Sequence, residues 1–247
     1  MTRRIALVTG GIGGLGTEIC KHLQRSGNLV VAADLGSRPE RLAEFEQEIA
    51  GTPDIAFEPF NVADFEDCAA LVRRVESRHG AIDIVVNAAG ITRDTTLRKM
   101  SPQQWVDVLK INLDGVFNIC RNVVDGMCDR GFGRIVNISS VNGQTGQFGQ
   151  TNYSAAKAGM HGFTMALARE VARKGVTVNS VSPGYCNTAM VRAVPDAVRA
   201  QIIANIPVGR LGEPSEIARV VNFLAADDAG FITGANIPVN GGYFMDF

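Results

Sequence analysis

Seven short runs rich in valine and isoleucine, RIALVTG, NLVVAADL, DIAFEPFNV, IDIVVNAAG, GRIVNISS, VTVNSVSPG and NIPVNGG, recur along the 247-residue chain. They are apolar throughout rather than alternating, the mark of strands buried on both faces, and the stretches between them are mostly long enough for a helix. The pattern predicts an α/β fold: a doubly wound, seven-stranded parallel sheet with helices on both faces. Helical patterning falls at about 14–26, 39–50, 65–78, 102–130, 153–174 and 214–226. Between Cys186 and Arg210 it weakens, with Pro195 and Pro207 as punctuation, and a substrate lid is expected over 186–210. No repeat or break in composition divides the chain, so residues 1–247 are expected to form a single domain for dinucleotide binding and catalysis.

Charge and composition narrow the function classes. Lys and Arg total 24 against 25 Asp and Glu, and neither sign forms a run, so nucleic acid is not an expected partner. No stretch approaches the length of a membrane span, and Met1–Arg4 lead into a strand without a signal peptide's apolar stretch, so no membrane association and a cytoplasmic location are expected. The five cysteines are scattered without a CxxC pair, which suits a reducing compartment. His22, His79 and His161 stand apart, so no metal site is expected. Small-molecule chemistry is the class left.

VTGGIGGLGTEIC links the first strand to the first helix. Gly11, Gly13 and Gly16 satisfy GxGxxG, while Thr9, Gly10, Gly14 and Gly16 satisfy TGxxxGxG. Glycines there permit a tight turn and let a pyrophosphate approach the positive end of a helix, the Rossmann-type arrangement. Asp34 closes the second strand 18 residues after Gly16, near the separation of a ribose-binding carboxylate. Asn87, Ala88, Ala89 and Gly90 end the fourth strand with small residues that leave room for a cofactor.

Tyr153 and Lys157 lie four apart in a helical stretch and face the same way. A phenol titrates at about 10, and bringing it to neutrality calls for about 4 kcal/mol of preferential stabilisation of phenolate, for which an adjacent ammonium together with the positive nicotinamide ring of an oxidised cofactor is a reasonable source. Tyr153 is the expected general acid for carbonyl reduction and base for the reverse. Ser140, thirteen residues earlier at a strand end, is placed to hydrogen-bond the substrate oxygen.

TGxxxGxG, NAAG, Asn112 in KINLDGVFN, Ser140, YxxxK and SPG at 182–184 together resemble the short-chain dehydrogenases/reductases over essentially the full length. That resemblance implies a tetrad of Asn112, Ser140, Tyr153 and Lys157, with Lys157 also on the nicotinamide ribose and Asn112 holding a water. It implies a cofactor site that includes Leu15, Asn61, Val62, Pro183, Gly184 and Thr188. Gly13 stands where NADP-users often carry arginine, and Asn61 replaces an aspartate beside the adenine. Asp34, with Gly13 supplying no guanidinium and apolar Leu35 directly after the aspartate, favours NAD(H), with NADP(H) as the alternative.

Within the family, SSVNGQTGQFGQTNYSAAKAG is similar to the reductases of acetoacetyl-CoA in polyhydroxybutyrate synthesis. GITRD is shared with 3-oxoacyl carrier-protein reductases, the runner-up. The resemblance implies Gln147, Phe148 and Gln150 on the acyl pocket, Tyr185 and Gly184 against the substrate, Asp94 at the pantetheine end, and a homotetramer.

Overall fold

The structure, a computed structural model, describes residues 3–245. The chain runs β1 (Ile5–Thr9), α1 (Gly14–Arg25), β2 (Leu29–Asp34), α2 (Pro39–Glu48), β3 (Ile55–Pro59), α3 (Phe65–His79) and β4 (Ile84–Asn87). It continues through α4 (Pro102–Leu109), α5 (Gly115–Arg130), β5 (Gly133–Ile138), α6 (Asn142–Thr145), α7 (Thr151–Val171) and β6 (Val176–Pro183). The last elements are α8 (Ala189–Arg192), α9 (Asp196–Ala204), α10 (Pro214–Ala225) and β7 (Asn236–Val239). All seven strands form one parallel sheet in the order β3-β2-β1-β4-β5-β6-β7, as the sequence pattern predicts.

Alternate residues of each strand serve opposite layers. Leu7 of β1 packs with Leu71 of α3, Ile119 and Met127 of α5 and Met160 of α7. Its neighbours Ala6 and Val8 belong to the other layer, with Ile19 and Leu23 of α1, Phe45 of α2 and Val221 of α10. Every residue of β1, β4, β5 and β6 is buried, which accounts for apolar runs without alternation. Parallel register carries Thr9, Asn87, Asn137 and Ser180 into one row across the carboxyl end of the sheet.

Local signals set the helix starts. Asp64 accepts from the amides of Glu66 and Asp67 to cap α3. Ser101 and Gln104 form a reciprocal capping box before Pro102 of α4.

The stretch expected to be one helix over 102–130 is divided. Lys110–Asp114 form a π-helical turn between α4 and α5. The Nδ2 of Asn112 donates to the carbonyl of Val108 at 2.9 Å, the acceptor its own amide would use in an unbroken α-helix. A side chain that competes for the i−4 carbonyl is a physical cause of such a bulge. Within 186–210 the chain forms the short helices α8 and α9.

Candidate active site

The glycine-rich turn fits tightly against the loop after β4. Gly10 has φ of +65°, and a Cβ there would lie 2.8 Å from the carbonyl oxygen of Ala88 and the backbone of Ala89. A Cβ on Gly16 would come within 2.1 Å of the Gly10 oxygen. The Thr9 hydroxyl accepts from the amides of Ala88 and Ala89 at 3.2 Å, tying the NAAG segment to the turn. Gly13 precedes α1 with no side-chain cap, so the first-turn amides of Gly14, Leu15 and Gly16 meet no side-chain acceptor at the cap position. Thr188, ahead of α8, lies over Gly14, where an added Cβ would sit 3.4 Å from its methyl group.

Asp34 is buried at the end of β2. Its Oδ1 accepts from the Leu35 amide at 2.7 Å and from Arg38 at 2.6 Å. Arg41 reaches the turn from α2, donating to the carbonyl of Ile12 and to the Thr17 hydroxyl. At the end of β3, the Asn61 Oδ1 accepts from Ala63, and Val62 packs on Gly115. Gly184 follows β6 so close to Asn240 that a Cβ would meet its Cα at 2.8 Å.

The four polar residues named from sequence converge above β4 and β5. Lys157, 3% exposed, donates from Nζ to the carbonyl of Ile138 at 2.7 Å and stands 5.6 Å from the Tyr153 ring centroid. Asn112 is fully buried, its Nδ2 held by the carbonyls of Ile91 and Val108, and its Oδ1 has no protein partner. A Cβ on Gly90 would lie 2.7 Å from that Oδ1 and 3.7 Å from Lys157 Nζ, so both atoms border the same small space. Gly143 of α6 lets the Ser140 segment approach the Lys157 backbone, where an added Cβ would sit at 2.8 Å. The Ser140 hydroxyl accepts from the Asn142 amide at 3.1 Å.

The electrostatics differ from the sequence expectation in one respect. Burial lowers the Lys157 ammonium to about 7. It also raises the Tyr153 phenol above its ordinary value, an effect opposed by a hydrogen bond with Ser140 and reinforced by the charge of Asp94. The protein alone therefore holds the proton on Tyr153.

Gln150 immediately precedes α7 and donates to Asp94 at 2.8 Å. Phe148 is 87% exposed and Gln147 half-buried on the same loop. Burial raises the Tyr185 phenol, reinforced by Tyr243 and, least, by the charge of Asp94. Tyr185 packs edge-on against Tyr243 at 5.6 Å and borders a cavity of about 120 Å³ with Ile206, Val208 and Asn240. Tyr243 lies beyond the last strand, in a segment without periodicity that gives no sequence signal for this ring contact.

The family profile described as enoyl-(acyl carrier protein) reductase matches residues 10–244. The chain belongs to the short-chain dehydrogenases/reductases. This short-chain dehydrogenase/reductase is 58% identical to an acetoacetyl-CoA reductase of Allochromatium vinosum, over 98% of the chain and 99% of that relative. It is 54% identical to the acetoacetyl-CoA reductase of Cupriavidus necator, over 99% of the chain and all of the relative. A 3-oxoacyl-[acyl-carrier-protein] reductase of Pseudomonas aeruginosa is 45% identical, over 98% of both chains.

The family implies a nicotinamide cofactor, and the residues present fit one. The first-turn amides of α1, left without a side-chain acceptor, and the buried orphan Oδ1 of Asn112 suit such a group. Among the described residues, no cluster of three or more His, Cys, Asp or Glu is spaced to hold a metal ion, and no helix is long and apolar enough to cross a membrane.

Proposed function

We propose that this chain reduces the 3-keto group of acetoacetyl-CoA to (R)-3-hydroxybutyryl-CoA, a step of polyhydroxybutyrate synthesis. The observation that carries the reading is the end-to-end match at 54–58% to two acetoacetyl-CoA reductases, against 45% to the carrier-protein reductase. Asn112, Ser140, Tyr153 and Lys157 are the proposed catalytic residues. The nicotinamide, when bound, supplies the hydride. Ser140 receives the Asn142 amide on its oxygen, and its O–H, which bonds Tyr153 in the free protein, turns to donate to the substrate carbonyl. Tyr153, kept protonated by burial, gives its proton to the same oxygen. Lys157 and Asn112 hold the ribose and a water in the space they share. Asp94, Gln147, Phe148, Gln150, Gly184 and Tyr185 line the thioester cleft, and residues 186–210 close over it.

NADH is the preferred cofactor in this reading, since Asp34 would accept from ribose hydroxyls and repel a 2′-phosphate. The Arg38 guanidinium paired to Asp34 offsets part of that charge, so the preference is small, under about tenfold, or 1.4 kcal/mol. The enzyme is cytoplasmic and homotetrameric. Exposed Phe117 on α5 and Met165 on α7 suit an assembly through those helices, and sedimentation at the mass of one chain would refute it.

Steady-state rates with acetoacetyl-CoA and with the matching carrier-protein thioester, each with NADH and NADPH, test the reading. The expected kcat/KM is about tenfold higher or more for the CoA thioester. Equal or better use of the carrier protein would favour the second activity, and higher efficiency with NADPH would overturn the cofactor assignment.

A further inference from the structure

A chain of hydrogen bonds joins three walls of the cleft to the Ser140 hydroxyl. Asn142, 8% exposed, donates from its main-chain amide to Ser140 Oγ at 3.1 Å and from Nδ2 to Gln150 Oε1 at 2.9 Å. Gln150 then donates from Nε2 to Asp94 Oδ2 at 2.8 Å. The loop after β4, the short helix α6 and the start of α7 are thereby linked, and the amide of Thr95 reinforces the junction by donating to Gly149 at 2.8 Å.

The chain has a fixed polarity. Asp94 as a carboxylate only accepts, so Gln150 must turn its NH₂ towards it and its carbonyl towards Asn142. Asn142 must then turn its NH₂ towards Gln150, which leaves its own Oδ1 buried without a partner. An unpaired buried acceptor is a cost the fold does not repay locally, since an apolar side chain of that size would leave none. The residue's value lies in what it positions. Its main-chain amide fills one lone pair of Ser140, and its side chain holds that amide in place against α7.

We infer that Asn142 is a positioning residue for carbonyl reduction, orienting the Ser140 hydroxyl through its amide and relaying the placement of Asp94 and Gln150 to it. The inference rests on the carbonyl-reductase reading above and deepens it.

Asn142→Ala should lower kcat for acetoacetyl-CoA about tenfold or more, while KM for the nicotinamide cofactor stays within twofold of the parent. Gln150→Glu keeps the acceptor for Asn142 but sets two carboxylates against each other. It should cut kcat comparably, and adding Asp94→Asn should restore most of the loss, because the new amide can donate where the old carboxylate accepted. Rescue by the pair is a readout that simple loss of packing would not give, and it does not depend on Asn142→Ala folding. A kcat for folded Asn142→Ala within twofold of the parent, or no rescue by the pair, overturns the inference alone. A parent enzyme inactive on both acetoacetyl-CoA and ethyl acetoacetate overturns the functional reading and this inference with it.

Discussion

An ammonium buried at 3% exposure with only a carbonyl for a partner is expensive, and Lys157 shows the cost as a value lowered from 10.5 to about 7. The sign of its effect on stability follows directly. Between about 7 and 10.5 the unfolded chain binds a proton that the folded chain has shed, so folding stability rises with pH across that window. Below it the full cost is present. Lys157→Met should therefore melt higher than the parent near pH 7, on the order of 5 °C for a shift worth a few kcal/mol, while losing activity. The gap should narrow towards pH 10, and a variant less stable at pH 7 would contradict the account. The tyrosine and lysine were legible as a pair because i, i+4 spacing is a local property. Their titration was not, because it depends on burial by β5 and α6, which are distant in the sequence's own spacing rules.

At the scale of elements, strands and glycines were legible for the same local reason. Val- and Ile-rich runs without alternation located every strand, and the glycine frames located the turn that β1 feeds into α1. The stretch over 102–130 reads as one helix because α4 and α5 share a helical period. The break depends on a single amide that bonds Val108 within the helix and Ile91 outside it, and no periodicity encodes the second partner. Asn112→Asp keeps the size and the acceptor but removes both donor bonds, leaving two buried carbonyls facing a carboxylate. The expected loss is about 1–3 kcal/mol or more, read as a drop in Tm of roughly 3–10 °C, with a lengthened helical signal if the turn reverts to α. An unchanged Tm would show that the π-helical turn is held by packing instead. The pattern over 186–210 allows only short helices, where α8 and α9 form, while α6 escaped it because four residues leave too little period to detect.

For the whole molecule, the parallel strand order brings the segments after β1, β4, β5 and β6, with Gly10, Gly90, Ser140 and Gly184, to the carboxyl edge of one sheet. Stability is distributed unevenly around that edge. All eight residues of β6 are buried, whereas none of α9 is, although α9 follows β6 by only a dozen residues. An element with so little buried surface is expected to open locally more readily than the strands beneath it. The consequence is a predicted site of first proteolytic attack. Arg192 and Arg199 flank the start of α9, so limited trypsin treatment of the native enzyme should cut there before any bond in α1, α5 or α7. Nucleotide and thioester together should slow that cut if 186–210 folds over them, and digestion unaffected by both would mean that the segment takes no part in closure. The fragment beyond the cut retains β7, hydrogen-bonded along β6, so the nicked protein should elute as one particle until denaturant separates its two pieces.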